Sequence, residues 1–321
     1  MARIVSLGSA LEDIFLIDRD DFAASTIGDT SIFGKLEIGT KVDIDKISYE
    51  IGGGGTNTAV SFARHGHESI FIGNIGRDSA GEAILAFLDK ENVDTSYISF
   101  VKSKTGCSIV LLDTKSGERT ILTHRGASSA FQNLNPNDLT LINPDWLYVS
   151  SIRGDMETLL SFFEHAHSLG CKIMFNPGVL ELENQDKLLG LLSDVDILLV
   201  NKSEASKIVP GRILSELLSH LKNYTETVII TDGATGGIAA NSSEAFRFGL
   251  YEDVKVKDTT GAGDAFGSGF LSAFAAGKSF ADSLIFGSAN STSVIRQIGA
   301  KKGILTGHEK LHAMPIQEIK L

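Results

Sequence analysis

The feature that most constrains this chain is the alternation that begins near residue 140. Short apolar runs at 146–149, 172–175, 197–200 and 228–231 read as strands. Between them lie helix-period stretches at 156–167, 185–192, near Glu204 and at 213–222. A strand that must reach a parallel neighbour needs a crossover, and a helix supplies it. The pattern therefore demands a mostly parallel sheet covered by helices. Two long helical patterns, 262–276 and 280–297, follow.

The first 125 or so residues are built differently. Strands are expected at 4–7, 14–17 and 70–72, and helices near 59–65 and 79–91. Two runs, 32–38 and 42–49, read as a hairpin turning at Gly39-Thr40, and 107–112 with 120–123 as a second one turning at 113–117. The strand groups at about 14–17, 32–49 and 107–123 are too small to stand alone. A small β-sheet lid on the α/β body is the economical solution. The expectation is one domain over residues 1–321, with the lid strands inserted in it.

Charge and cysteine use exclude several functions. Forty Asp and Glu against 29 Lys and Arg leave a formal net charge of −11, so the broad basic face that nucleic acid requires is missing. No apolar run reaches the roughly 18 residues of a membrane span. The first residues are too acidic and too short for a secretory leader, and a cytoplasmic protein is expected. Cys107 and Cys171 sit in apolar, strand-like surroundings and read as buried free thiols without metal-ligand spacing.

Glycine clusters carry the chemistry. In Asp258-Thr259-Thr260-Gly261-Ala262-Gly263-Asp264-Ala265-Phe266 the glycines stand directly before a helical apolar stripe. The N–H groups of a first helical turn lack intrahelical acceptors, and the helix dipole favours an anion there. Gly261 and Gly263 allow a phosphate to approach the backbone, and Asp264 places a carboxylate beside it. Phosphoryl transfer needs both. A plain tight turn with a capping aspartate reads the same residues equally well. Gly277-Lys278-Ser279 is not the end of a P-loop, because Ser272 stands where its first glycine belongs. Neither glycine cluster completes a dinucleotide fingerprint: Thr58 and Phe266 occupy the third glycine positions.

Taken together, these segments resemble the ribokinase-like (pfkB) carbohydrate kinases. The Asp258–Phe266 segment is similar to the family's C-terminal signature. Gly52-Gly53-Gly54-Gly55-Thr56-Asn57-Thr58-Ala59-Val60 is similar to its N-terminal one. Gly73-Asn74-Ile75-Gly76-Arg77-Asp78, Asn201-Lys202-Ser203-Glu204 and Thr231-Asp232-Gly233-Ala234-Thr235-Gly236-Gly237 follow in family order. The resemblance implies a three-layer α/β fold with a lid, and ATP-dependent phosphorylation of a small sugar. It makes Asp264 the catalytic base, with Gly261, Ala262 and Gly263 offering N–H groups to the transferring phosphate. Asp13, Gly53, Gly54 and Asn57 would bind the substrate. Asn201, Thr231, Gly233, Gly236 and Asn290 would lie along the nucleotide, and Glu204 would hold Mg²⁺ through water. A residue exposed in a first helical turn, for Glu204, and a polar helix residue, for Asn290, remain the alternatives. Asp258 and Thr260 match positions that bind a monovalent cation, K⁺, in many members. Relatives often pair their lids, so a homodimer is expected.

The substrate is less legible. Many relatives carry Lys where this chain has Gly54, and ribokinases an Asn at Leu11, so the expected pocket is roomier and more apolar. Gly54 argues against a phosphorylated acceptor. A neutral sugar such as ribose or fructose leads, a nucleoside follows, and a sugar sensor without catalysis is the reading from another class. Arg125 and Arg153 either enter the pocket or are solvated at strand ends, the second being preferred.

Overall fold

The structure is a computed structural model that describes residues 1–18, 25–26, 32–33, 39, 41, 43–44, 46–113 and 119–320. The first part contains β1 (Arg3–Leu7), β2 (Leu11–Asp18), β3 (Ser25–Thr26), β4 (Ile32–Phe33) and β5 (Lys46–Gly52). Next come α1 (Gly54–Arg64), β6 (Glu68–Gly76), α2 (Ser79–Lys90), β7 (Ile98–Val101), β8 (Gly106–Asp113) and β9 (Arg119–His124). The alternating part is α3 (Asp138–Ile142), β10 (Trp146–Val149), α4 (Met156–Ser168), β11 (Lys172–Phe175), α5 (Val179–Glu183) and α6 (Gln185–Leu191). It continues with β12 (Ile197–Asn201), α7 (Lys202–Ile208), α8 (Leu214–Leu221) and β13 (Thr227–Thr231). Then follow β14 (Gly237–Ala240), β15 (Ala245–Phe248), α9 (Ala262–Ala275), α10 (Phe280–Ile295) and β16 (Ile316–Glu318).

The main sheet has ten strands in the order β16-β15-β14-β13-β12-β11-β10-β1-β6-β7. From β13 to β7 every pairing is parallel. β14, β15 and β16 form an antiparallel edge that the sequence pattern did not announce, and β7 was also unforeseen. The central strands are apolar throughout because helices cover both faces. Val5 and Leu7 face a core layer shared with Phe162 of α4, while Ile4 faces the layer of Phe266 and Phe270 of α9. The expected helix at 185–192 forms as α6, and a short helix that was not foreseen, α5, precedes it across Asn184. Among the described residues no helix is long and apolar enough to cross a membrane.

The lid is a sheet of four strands, β5-β2-β8-β9. The hairpin over 107–123 forms as β8 and β9, and its turn residues 114–118 lie outside the described residues. The other expected hairpin does not form as drawn. β5 pairs antiparallel with β2, from Leu11 opposite Gly52 to Ile17 opposite Lys46, while β4 pairs with β3. Residues 34–38, 40 and 42 of that expectation lie outside the described residues. The pairing with β2 has a local reason. Asp13 lies against Gly52, where an added methyl would stand 1.9 Å from Asp13 Oδ2, so only a glycine allows these strands to meet with Asp13 turned inward.

Candidate active site at the start of α9

The turn before α9 is organised by the buried Asp258 carboxylate. One oxygen accepts from Thr260 N–H (2.9 Å) and Thr260 Oγ1 (2.7 Å), the other from Gly299 N–H (3.0 Å). Gly261 then adopts φ +74°, and a methyl there would lie 2.3 Å from the Ala300 Cβ. Only glycine satisfies both demands. The N–H of Ala262 folds back onto the Thr259 carbonyl at 3.2 Å. The N–H groups of Gly263 and Asp264 have no acceptor among the described residues, and the space over Gly263 is open. Of the expected donors, Ala262 N–H is engaged in closing the turn while Gly263 N–H stays open, and Asp264 N–H is open beside it.

Asp264 belongs to a chain of polar contacts. Asn57 Nδ2, on α1, donates to Asp264 Oδ2 at 2.8 Å. Asn57 Oδ1 in turn accepts from Nζ of Lys301, which also donates to the Ile51 carbonyl (2.6 Å) and Thr56 Oγ1 (3.0 Å). Burial pushes the Asp264 carboxyl above the usual carboxylate range, against the pull of Asn57 and of the Lys301 charge. Burial draws Lys301 down to about 7, although Asp13 and Asp264 favour its charged form. Asp13 is raised by burial too, with Lys301 the main opposing influence. Burial thus drives all three ionisable groups toward neutrality, and their mutual attraction opposes it. Lys301 has no sequence signature that distinguishes it from its neighbour Lys302.

Two cavities meet at this helix start. The first, of about 540 Å³, is bounded by Asp264, Gly54, Ser150, Glu204, Arg125 and Arg153, among others. The second, of about 350 Å³, is lined by Thr231, Gly233, Gly236, Ala262, Gly263 and Ser291, among others. A roomier cavity of about 620 Å³, beside His65 and His312, takes in none of the residues expected to bind substrate, nucleotide or metal.

The expected residues divide accordingly. Gly54 borders the first cavity, and a methyl on it would press on Ser150 at 2.9 Å, so its small size admits Ser150 rather than leaving room. Leu11 is buried against Gly106 and takes no part in the lining. The lining is mixed: Pro177, Val179 and Leu180 stand beside the charged Arg125, Arg153, Glu204 and Asp264. Gly53, at φ +98°, packs on the Ser9 carbonyl and starts α1. Asp13 and Asn57 stand behind the lining, one beside Gly52 and the other on Asp264. Thr231, Gly233 and Gly236 line the second cavity together. Asn290 does not. It is fully buried, donates to the Ala265 carbonyl (2.8 Å) and accepts from Leu305 N–H (2.9 Å), so it ties α10 to α9. Its neighbours Ser288, Ser291 and Thr292 face the cavity instead.

Asn201 and Glu204 form a reciprocal capping box on α7. Asn201 Oδ1 accepts from Glu204 N–H (3.0 Å) and Glu204 Oε2 from Asn201 N–H (2.8 Å). Glu204 nevertheless borders the first cavity, and burial raises its carboxyl against those hydrogen bonds. Asp78, in the third glycine motif, caps α2 and holds Thr105 at 2.6 Å. Ser279 caps α10, which gives the P-loop look-alike a structural role. Arg125 and Arg153 both border the first cavity; Arg125 is exposed there and Arg153 half-buried, so both face the cavity while keeping the solvent contact that was preferred for them.

Residues 2–306 match the model of the pfkB family of carbohydrate kinases. The chain is 31% identical to a ribokinase of Haemophilus influenzae over 280 residues, covering 82% of this chain and 88% of that one. It is 26% identical to an ATP-dependent 6-phosphofructokinase of Thermoanaerobacterium thermosaccharolyticum over 306 residues, covering 90% and 92%. Among solved structures, a nucleoside kinase of Methanocaldococcus jannaschii superposes with a TM-score of 0.77 at 22% identity, covering 95% of both chains. The order of motifs, the lidded α/β fold and the glycine turn between two cavities agree with these matches: the chain belongs to the pfkB family of carbohydrate kinases.

Proposed function

We propose that this protein transfers the γ-phosphoryl group of ATP to a hydroxyl of a small sugar, with Asp264 as the base. The observation that carries this reading is that one helical turn serves two cavities, Asp264 facing one and Gly263 the other. The acceptor hydroxyl would donate to Asp264 while the free N–H groups of the turn meet the transferring phosphate. In a loose transition state the proton leaves late, so Asp264 chiefly aims the hydroxyl and then takes the proton. Asn57 fixes the carboxylate for that task. The nucleotide would extend from Gly263 along Thr231, Gly233 and Gly236. A nucleoside acceptor is the second reading, supported by the overall likeness to a nucleoside kinase.

The reading implies Mg²⁺, which arrives with nucleotide phosphates and asks only one or two carboxylates of a protein. Glu204 fits: its Oε2 is tied to the cap, and the residue borders the cavity beside Asp264. Asn201 and Glu204 would hold the ion, which supplies charge neutralisation at the phosphates. The buried Asp258 carboxylate, with Thr260, would serve a K⁺ ion from behind the turn.

The lid supports pairing of two copies. Tyr49, Ile14, Ile109 and Leu122 lie in register across β5, β2, β8 and β9 and so share one face. Tyr49 is 65% exposed and Leu122 56%, an apolar row that a second lid would cover.

The test is ADP release from ATP and Mg²⁺ over a panel of sugars and nucleosides. Asp264→Asn is expected to lower turnover by about 10²–10⁴-fold while the protein still folds. Full activity in that variant would sink the assignment. Sugar binding without turnover in the wild type would favour the sensor.

A further inference from the structure

The kinase reading leaves two guanidinium groups unused. Arg125 follows β9 of the lid, and Arg153 sits in the loop between β10 and α4. Both border the cavity that holds Asp264. Neither guanidinium makes a hydrogen bond or ion pair among the described residues. Two cations facing one cavity repel each other unless an anion lies between them. The effect is visible on Arg125, whose guanidinium is held below its ordinary range by partial burial and then by the charge of Arg153, against the pull of Asp13 and Glu181.

The position of Arg153 is constructed with care. Its φ is +63°, one of three such values at non-glycine residues among those described. A side chain that is not Asn or Gly rarely stands in this region without other interactions that hold it. The holder is Glu181 of α5, a fully buried carboxylate. Its Oε1 accepts from Ile152 N–H and Gly154 N–H, both at 2.8 Å, on either side of Arg153. Its Oε2 accepts from Ser151 Oγ (2.8 Å) and Gly178 N–H (3.0 Å). Arg125 is fixed through its backbone: a methyl on Gly106 would lie 2.5 Å from its carbonyl oxygen. Both arginines are thus set on stiff supports, one on the body and one on the lid, with their charged ends left free.

We propose that Arg125 and Arg153 form an oxyanion subsite, and that the acceptor is an acidic sugar. A carboxylate or a phosphate monoester would be held between the two forks at the end remote from the hydroxyl that Asp264 receives. The proposal rests on the kinase reading for the role of Asp264, but the subsite itself is a matter of binding. The cavity carries both signs of charge: Asp264 and Glu204 line it together with the two arginines. Ribose and fructose would then be poor substitutes for the true acceptor, and Gly54 no obstacle to a charged one.

Calorimetric binding and ADP release, measured side by side, test it. The probes are gluconate and 2-keto-3-deoxygluconate for the carboxylate, fructose 6-phosphate for the phosphate, and ribose, fructose and adenosine as neutral acceptors. At least one anionic probe is expected to bind about 10- to 100-fold tighter than its neutral counterpart, with affinity falling as salt rises. Arg153→Gly suits the φ of that position, so it is expected to keep or raise Tm while losing that 10- to 100-fold. Arg125→Gln is expected to do the same to affinity. Whichever probe binds, the carboxylates or the phosphate, names the source of the oxyanion. Equal binding of neutral and anionic probes, or arginine variants that bind all probes as the wild type does, would overturn the proposal even if Asp264→Asn abolished turnover. Tight anionic binding without ADP release would instead leave the subsite standing and remove the kinase reading.

Discussion

Lys301→Met is the substitution that most directly interrogates the site. Lys301 is 6% exposed, and its ammonium holds Asn57 by Oδ1, so that Nδ2 must face Asp264. An amide turned the other way would set its oxygen against a carboxylate. Methionine matches the lysine in length and removes every donor. Losing one hydrogen bond that aims a charged group is worth about 1.5–3 kcal/mol, so kcat should fall by about 10- to 100-fold. Two pH effects accompany the loss. Asp264 is already raised by burial, and without the Lys301 charge it rises further, so the acid limb of the kcat/KM profile moves to higher pH. The alkaline limb, set by deprotonation of Lys301 near 7, disappears. Stability carries a third signature. The unfolded lysine keeps its proton to about 10.5 and the folded one releases it near 7, so between these values the unfolded chain binds more protons and wild-type stability rises with pH. The drop from 10.5 to about 7 corresponds to about 5 kcal/mol of bias against the buried ammonium, fully felt below 7. Stopped assays from pH 5.5 to 9.5 and urea unfolding at pH 6.5 and 9 measure all three. A Lys301→Met enzyme with both limbs of its profile in place and its wild-type kcat would refute the reasoning.

Two further outcomes are expected. Asn290→Ala should lower stability by about 1–3 kcal/mol, because the Ala265 carbonyl and Leu305 N–H lose their partner, and leave the KM for ATP unchanged; a risen KM with an unaltered Tm would return Asn290 to the nucleotide site. Leu122→Glu should turn a dimer into a monomer in light scattering, since it places a charge in the apolar lid row at its exposed β9 end; a monomeric wild type would refute lid pairing.

How much of this was legible in the sequence depends on how local each feature is. The α9 turn could be read because most of what shapes it is within seven residues, Asp258 to Asp264, although Gly299 and Ala300 press on it from elsewhere. The parallel strands could be read because burial on both faces leaves an unbroken apolar run. The pairing of β5 with β2 could not, because it was decided by the fit of Asp13 against Gly52 across 39 positions of chain, not by the turn that sequence proximity suggested. The edge strands β14 and β15 are no shorter than β10 and β11, but Gly237-Ile238-Ala239-Ala240 and Ala245-Phe246-Arg247-Phe248 lack a run of large apolar residues like that of the parallel strands. Lys301 and Lys302 look alike on paper; one is buried among Ile51, Thr56 and Asn57, and the other is exposed beside Glu50. Asn201 and Glu204 were found by motif, but a motif did not say that they cap each other. Glu181 was invisible for the opposite reason: its four hydrogen bonds come mainly from backbone groups, which carry no sequence signal.

These hidden contacts share a direction. Lys301 reaches the last strand of the lid at the Ile51 carbonyl and the first turns of α1 at Thr56 and Asn57, and through Asn57 it sets Asp264. Asp13, on lid strand β2, favours the charged form of the same lysine. Arg125 leaves the lid at the end of β9 and enters the cavity of Asp264 from above. The lid is therefore connected to Asp264 through Lys301 and Asn57, and it also supplies a cation to the lining of the same cavity. A shift of its base that broke the contact with Ile51 would release Asn57 as well as displace Arg125. Acceptor binding and aim of the base are coupled in this arrangement, because an anion that draws Arg125 toward Arg153 holds in place the same sheet to which Lys301 is tied. An enzyme built so would orient its carboxylate best when the acceptor is present, which is when water must be kept from the transferring phosphate.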